Sequence, residues 1–126
     1  MNRCLVTATA LLALAVPVVA SAQVQRNFPA NALRGELTVS TPPEVTLNGK
    51  TAYLAPGARI RDKNQMIIMS GAISGTKLVV NYTTEQYGYI KDVWILRSDE
   101  IAKLWPRTAA EAASWTFDPI GQTWTK

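Results

Sequence analysis

The sequence predicts a mainly β protein: a small antiparallel β-barrel with one or two short helices at its C-terminal end. Three observations carry this. Short segments in which apolar and polar residues alternate recur between Glu36 and Leu96. Glycine or proline punctuates the intervals between them, and both stretches with a side-chain N-cap signal lie beyond Arg97. About five to seven short strands at this spacing are best accommodated by a sheet that curls and closes, because closure removes exposed edges.

The elements are justified in chain order. In "NFPANALRG", Pro29 suits the first position of a helical turn and Gly35 the residue beyond its end, so one short turn or an irregular arm leads into the first strand. "GELTVS" places Leu37 and Val39 on one face and Glu36, Thr38 and Ser40 on the other, and Pro42-Pro43 ends it. Asn48-Gly49 follows between two β-rich runs. Both residues tolerate the positive φ of a two-residue type I′ turn, which sets Leu47 opposite Lys50, Thr46 opposite Thr51 and Val45 opposite Ala52. "APG" at residues 55–57 predicts a further turn. Ala58 and Ile60 then oppose Arg59 and Arg61, and Met66 to Met69 reads as a short buried strand bounded by Gly71 and Gly75. "KLVVNYT" puts Leu78, Val80 and Tyr82 on one face. "YIKDVWIL" puts Ile90, Trp94 and Leu96 on one face and Tyr89, Val93 and Ile95 on the other, so it is apolar on both sides and expected to be covered twice. Ser98 is placed to cap "DEIAKLW", which Pro106 stops, and Thr108 with Glu111 forms a T-x-x-E box for "AAEAAS". An aromatic tail, "WTFDPIGQTW", closes the chain.

The first residues set the expected compartment. Arg3 is followed by "LVTATALLALAVPVVA", which carries no charge, and Ala20-Ser21-Ala22 supplies the small residues a signal peptidase needs. Cleavage is expected between Ala22 and Gln23, giving a periplasmic product. The apolar run is shorter than the roughly 20 residues of a spanning helix and contains Pro17, so no membrane span is expected in the mature chain. Cys4 precedes the run, which argues against lipid attachment. The organisation expected is a signal peptide over 1–22, an arm over 23–33, a barrel over 34–97, and short helices with the aromatic tail over 98–126.

Composition narrows the chemistry. The 126 residues include 13 Lys and Arg, nine Asp and Glu, one Cys and no His, for a formal charge of +4. With Cys4 in the leader, the processed chain offers no disulfide, thiol nucleophile, Ser-His triad or His/Cys metal site. No D-x-D-x-D-G calcium loop occurs, and Asp62, Glu85, Asp92, Asp99 and Glu111 are scattered singly. Neither a metal nor another cofactor is expected, and the mild charge does not suggest a nucleic-acid partner.

The order "FPANALRGEL", "TPPEVTLNG", "APGARIRD", "TKLVVNYT", "DVWIL", spanning about Phe28 to Pro106, resembles a group of small exported proteins of Gram-negative bacteria without assigned activity. The segment Ile73-Ser74-Gly75, the "LVVNY" strand, a glycine loop and the closing "VWIL" strand resemble small OB-like exported barrels. The resemblance implies an all-β barrel, an OB-like or SH3-like meander, and carries no functional residues.

Two features are candidate ligand contacts. Arg59, Arg61 and Lys63, at i, i+2 and i+4, would form a basic stripe on an extended segment, against the alternative of an ordinary solvated face. Trp115, Phe117 and Trp124 could stack on a sugar or peptide, against the alternative that they pin the tail over an open barrel end, while Trp94 reads as core. Asn81-Tyr82-Thr83 matches a glycosylation sequon by pattern alone. The function expected is a non-enzymatic module that docks on another envelope protein. The alternative is a binder of an anionic envelope polymer, lipid head group or oligosaccharide, necessarily weak because three cations supply about 1 kcal/mol each at an anionic surface. A hydrolase using lone carboxylates is the third reading.

Overall fold

The computed structural model describes residues 24–126. The leader and the Ala22/Gln23 cleavage point lie outside the described residues. The strands are β1 (Leu33–Val39), β2 (Glu44–Leu47), β3 (Lys50–Arg61), β4 (Ile67–Ile68), β5 (Lys77–Thr84), β6 (Ile90–Ile95), β7 (Thr116–Asp118) and β8 (Thr123–Thr125). A 3-10 turn spans Ser70–Ile73, and two short helices, α1 (Ser98–Ile101) and α2 (Ala109–Ser114), follow β6.

Five strands close a barrel in the order β2-β1-β5-β6-β3, with β2 pairing back onto β3, and β4 hangs on the far part of β3. The pairs are antiparallel except β3 with β6, which run parallel. The chain thus crosses between non-adjacent strands, a Greek-key path instead of a meander, as in OB-type barrels.

The β2–β3 hairpin has the register that the turn chemistry requires: Leu47 opposite Lys50, Thr46 opposite Thr51, Val45 opposite Ala52. Asn48 and Gly49 take φ of 53° and 80°. Asn48 also reaches back to β1. Its Oδ1 accepts from the Glu36 amide at 2.9 Å, and its own amide donates to the Glu36 carbonyl at 2.9 Å.

Four expectations are corrected. Gly35 ends no helix: Pro29 and Ala32 close a simple turn, the Ala32 amide donating to the Pro29 carbonyl at 3.0 Å, and Gly35 lies within β1. A Cβ there would stand 3.0 Å from the Tyr82 ring and 3.1 Å from Leu47, so glycine serves close approach, not capping. Residues 55–57 make no turn. Pro56 lacks an amide and Gly57 sits at φ +76°, and the register of β3 slips between Leu54 and Arg59. This bulge bends one 12-residue strand so that its first half pairs with β2 and its second with β6 and β4. Met66 to Met69 is not a buried strand: only Ile67 and Ile68 pair, and Met66, Ile67 and Met69 are 65%, 66% and 82% exposed. Finally, a bulge at Lys91 moves Ile90 to the barrel interior with Val93 and Ile95, leaving Trp94 and Leu96 outside.

The double coverage expected of the last strand is present. Inside the barrel, Leu37, Val39, Val45, Ile60, Val80 and Val93 form the main core. Outside it, Phe28, Ala32, Trp94, Leu96, Trp105 and Trp124 form a second core, with Val79 and Phe117 packed against it. The rings meet edge to face, with Trp105 centred 5.5 Å from both Phe28 and Phe117, while Phe117 stacks on Trp124 at 4.7 Å. At α2, Thr108 Oγ1 accepts from the Glu111 amide at 3.2 Å, the N-cap half of the expected box. At α1 the cap lies one residue before Ser98, at Arg97. A guanidinium offers no acceptor, so the helix start is organised by Glu100, which accepts from the Arg97 amide at 2.8 Å.

Candidate functional site

The expected basic stripe does not exist as a unit. Arg59 and Arg61 share the outer face of β3, but Arg61 donates to Asp92 at 3.2 Å and lies 5.3 Å from the Trp94 ring centre. Asp92 in turn accepts from the Thr83 hydroxyl at 3.3 Å. Lys63 falls beyond the strand end, in the turn that Asp62 organises by accepting from the Asn64 and Met66 amides. Exposed Arg59 lines a depression with Arg61 and Lys91, in which Asp92 also stands, while Lys63 lies outside it.

The aromatic tail lies against the outer face of the sheet. Trp124 is buried, Phe117 and Trp115 are half-buried, and β7 pairs with β8 so that Phe117 and Trp124 stand opposite each other. Their rings pack on Trp105 and on each other, in the layer that Phe28, Trp94 and Leu96 form on the barrel wall and not over an open end. Trp115 carries Lys126 above its ring at 5.4 Å. Asn81 of the sequon pattern is fully buried on β5, where it cannot receive a glycan.

Two sites emerge that the sequence alone did not mark. The first is an apolar groove of about 490 Å³ where the β1–β2 connection faces the β3 bulge and β4. Pro42, Pro43, Leu54, Ile60, Ile68 and Met69 are among its lining residues, and none of the lining residues is charged. Ile67 also lines it, and exposed Met66 extends the apolar surface beside it. The sequence signal was the Met66–Met69 run itself. Its hydrophobicity suggested burial, but only two residues find a partner strand, so the run ends as an exposed edge.

The second is a pocket of about 180 Å³ between the N-terminal arm, the start of β1 and the α1 region. Its framework is a buried ion pair. Arg26 donates through Nε to Glu100 at 2.8 Å and through Nη2 to the second carboxylate oxygen, and it also donates to the carbonyls of Asp62 at 3.0 Å and Ile95 at 2.7 Å. Burial pushes the Glu100 carboxyl upward, but the hydrogen bonds from Arg26 and the Arg97 amide, with the charges of both arginines, outweigh it and hold the group below its ordinary value. Arg34, on β1, donates to the carbonyls of Glu100, Ile101 and Lys103 at 3.1, 3.1 and 2.7 Å, placing a cation at the C-terminal end of α1. Its Nε donates to Asn81 Oδ1 at 3.3 Å. Burial and, less strongly, the charge of Arg107 lower the Arg34 pKa to about 10, against an opposing effect of Glu100.

Among the described residues no group of three or more metal-ligating side chains comes together, and no helix is long and apolar enough to cross a membrane. No family model, curated protein or solved structure matches the chain.

Proposed function

We propose that this protein is a non-enzymatic interaction module of the bacterial envelope, which docks an uncharged apolar segment of another envelope protein in the groove beside β4. One observation carries the reading: the groove is lined by no charged residue, two of its lining side chains, Ile67 and Met69, are exposed, and exposed Met66 adjoins them. Contiguous exposed apolar surface on a small protein marks an interaction site, and methionine adapts its shape to a partner. Among the described residues β4 pairs only with β3, so its outer edge is open to main-chain pairing with an extended segment. The leader read at residues 1–22 supports the compartment. An anionic polymer finds less here, since Arg61 is engaged by Asp92 and Trp124 lies in the second core.

The test is site-specific photocrosslinking from position 69 in intact cells. A single protein should be captured from that position, and capture should disappear in an Ile67→Glu variant. The same protein, once purified, should bind the wild type and not the variant. Ile67 is exposed, so the substitution should change stability by about 0.5 kcal/mol or less. Capture that persists in Ile67→Glu, or crosslinks only to polysaccharide or lipid, would overturn the reading.

A further inference from the structure

The pocket beside Arg34 has an unbalanced charge. Arg26, Arg34, Arg97, Lys103, Asp99 and Glu100 all line it. The two carboxylates are already committed: Glu100 to Arg26, and Asp99 to Arg97 at 3.1 Å. Arg34 and Lys103 take part in no ion pair among the described residues. Lys103 is exposed, whereas Arg34 is only 6% exposed. Buried guanidinium groups are ordinarily matched by a carboxylate. Here four of the five Arg34 donors go to three carbonyls and one amide oxygen, all neutral acceptors, and one Nη2 hydrogen is left over. The other wall is aromatic, formed by Phe28 and Trp105, with the Trp105 indole turned away to donate to the Ala32 carbonyl at 2.8 Å.

We propose that this pocket is a binding site for a small organic carboxylate, its anionic end held between Arg34 and Lys103 and its apolar part against Phe28 and Trp105. Three features fit that class. The charge left after internal pairing is positive. A donor remains on a rigid, buried fork of the kind that suits a planar carboxylate. The volume of about 180 Å³ is comparable to the roughly 150 Å³ of an apolar cavity that admits a benzene ring, which suits a compact aromatic acid. The lowered pKa of Arg34 agrees: burial first, and then the charge of Arg107, disfavour its cation by more than nearby Glu100 favours it. The site shares no lining residue with the apolar groove, so it stands or falls independently of the docking reading.

Sodium benzoate, benzamide and inorganic phosphate are the probes, titrated into the purified protein and followed by the indole and arginine side-chain resonances. Benzoate should bind at roughly millimolar Kd, the range expected for so few atoms, and shift the Trp105 and Arg34 signals. Benzamide, which keeps the ring and loses the charge, and phosphate, which keeps charge and loses the ring, should each bind at least about threefold more weakly. Arg34 holds the fold and is left alone. Lys103→Gln, at an exposed position, should weaken benzoate by about three- to fivefold, and Asp99→Asn, which releases Arg97, should strengthen it by a similar factor. Equal binding of benzamide would overturn the proposal by showing an apolar cavity only. Equal or tighter binding of phosphate would show a general anion site, and a Lys103→Gln variant with unchanged benzoate affinity would show the contact to lie elsewhere.

Discussion

Glu100 combines three tasks in one side chain. It neutralises Arg26, it accepts from the Arg97 amide to start α1, and it stands beside the Arg34 that closes the same helix. Its carboxyl is held below the ordinary value of 4.5, and the sign of the consequence follows from that. The unfolded chain takes up the proton first as pH falls, so the stabilisation is complete above pH 4.5 and is lost as pH drops through the lower folded value. Thermal midpoints measured from pH 7 down to pH 3 should therefore fall on the acid side, and a Glu100→Gln variant should lose that component of the slope. The variant should also be less stable at neutral pH by about 3 kcal/mol, because removing one partner leaves the buried Arg26 uncompensated. An acid slope identical in both proteins would place the titration on other carboxylates.

The β2–β3 hairpin is where local chemistry and tertiary packing agree most closely. Asn48 and Gly49 provide the two positive φ values, and Asn48 then ties the turn to β1 through Glu36. Gly49→Val puts a β-branched residue at φ +80°, where nothing else crowds the site, so strain alone should cost about 1–3 kcal/mol. A reduced denaturation midpoint with an unchanged urea dependence is the expected result. An unchanged midpoint would mean the turn relaxes into another form without loss. The hairpin was legible in the sequence because a two-residue loop fixes register by itself. β3 was not, since a bulge and a turn share the residues Ala55-Pro56-Gly57, and only the choice of partners for each half of the strand separates them. The same holds for Ile90, whose face is decided by the extra residue at Lys91.

At the scale of the molecule, two cores share one wall. β5 and β6 direct Val80, Val93 and Ile95 into the barrel and Val79, Trp94 and Leu96 to the outer layer. Trp105 joins that layer to the arm and the tail hairpin through Phe28, Phe117 and Trp124. Trp105→Ala should cost about 3–5 kcal/mol, a large part of a small domain's stability. The loss should be local. Amides of β7 and β8 should exchange rapidly with solvent while those of the β2–β3 hairpin stay protected. Equal loss of protection in both would show that barrel and outer layer unfold as one unit.

By itself the sequence determined the mainly β character, the hairpin with its register, the late position of the helices and the need for two-sided cover on the last barrel strand. Each of these follows from interactions within a few residues: alternation, the φ that glycine and asparagine permit, and cap chemistry. The tertiary structure decided the crossing order of the strands, the parallel β3–β6 pair, the exposure of Met66 to Met69 and both candidate sites. Nothing in the local sequence marks Arg26 and Arg34, because the residues in and just after α1 that they bond lie 66 to 74 positions away. Whether a charge is buried depends on what closes over it, and for these two arginines the cover is supplied by α1 and the aromatic layer, which only the folded chain brings to them.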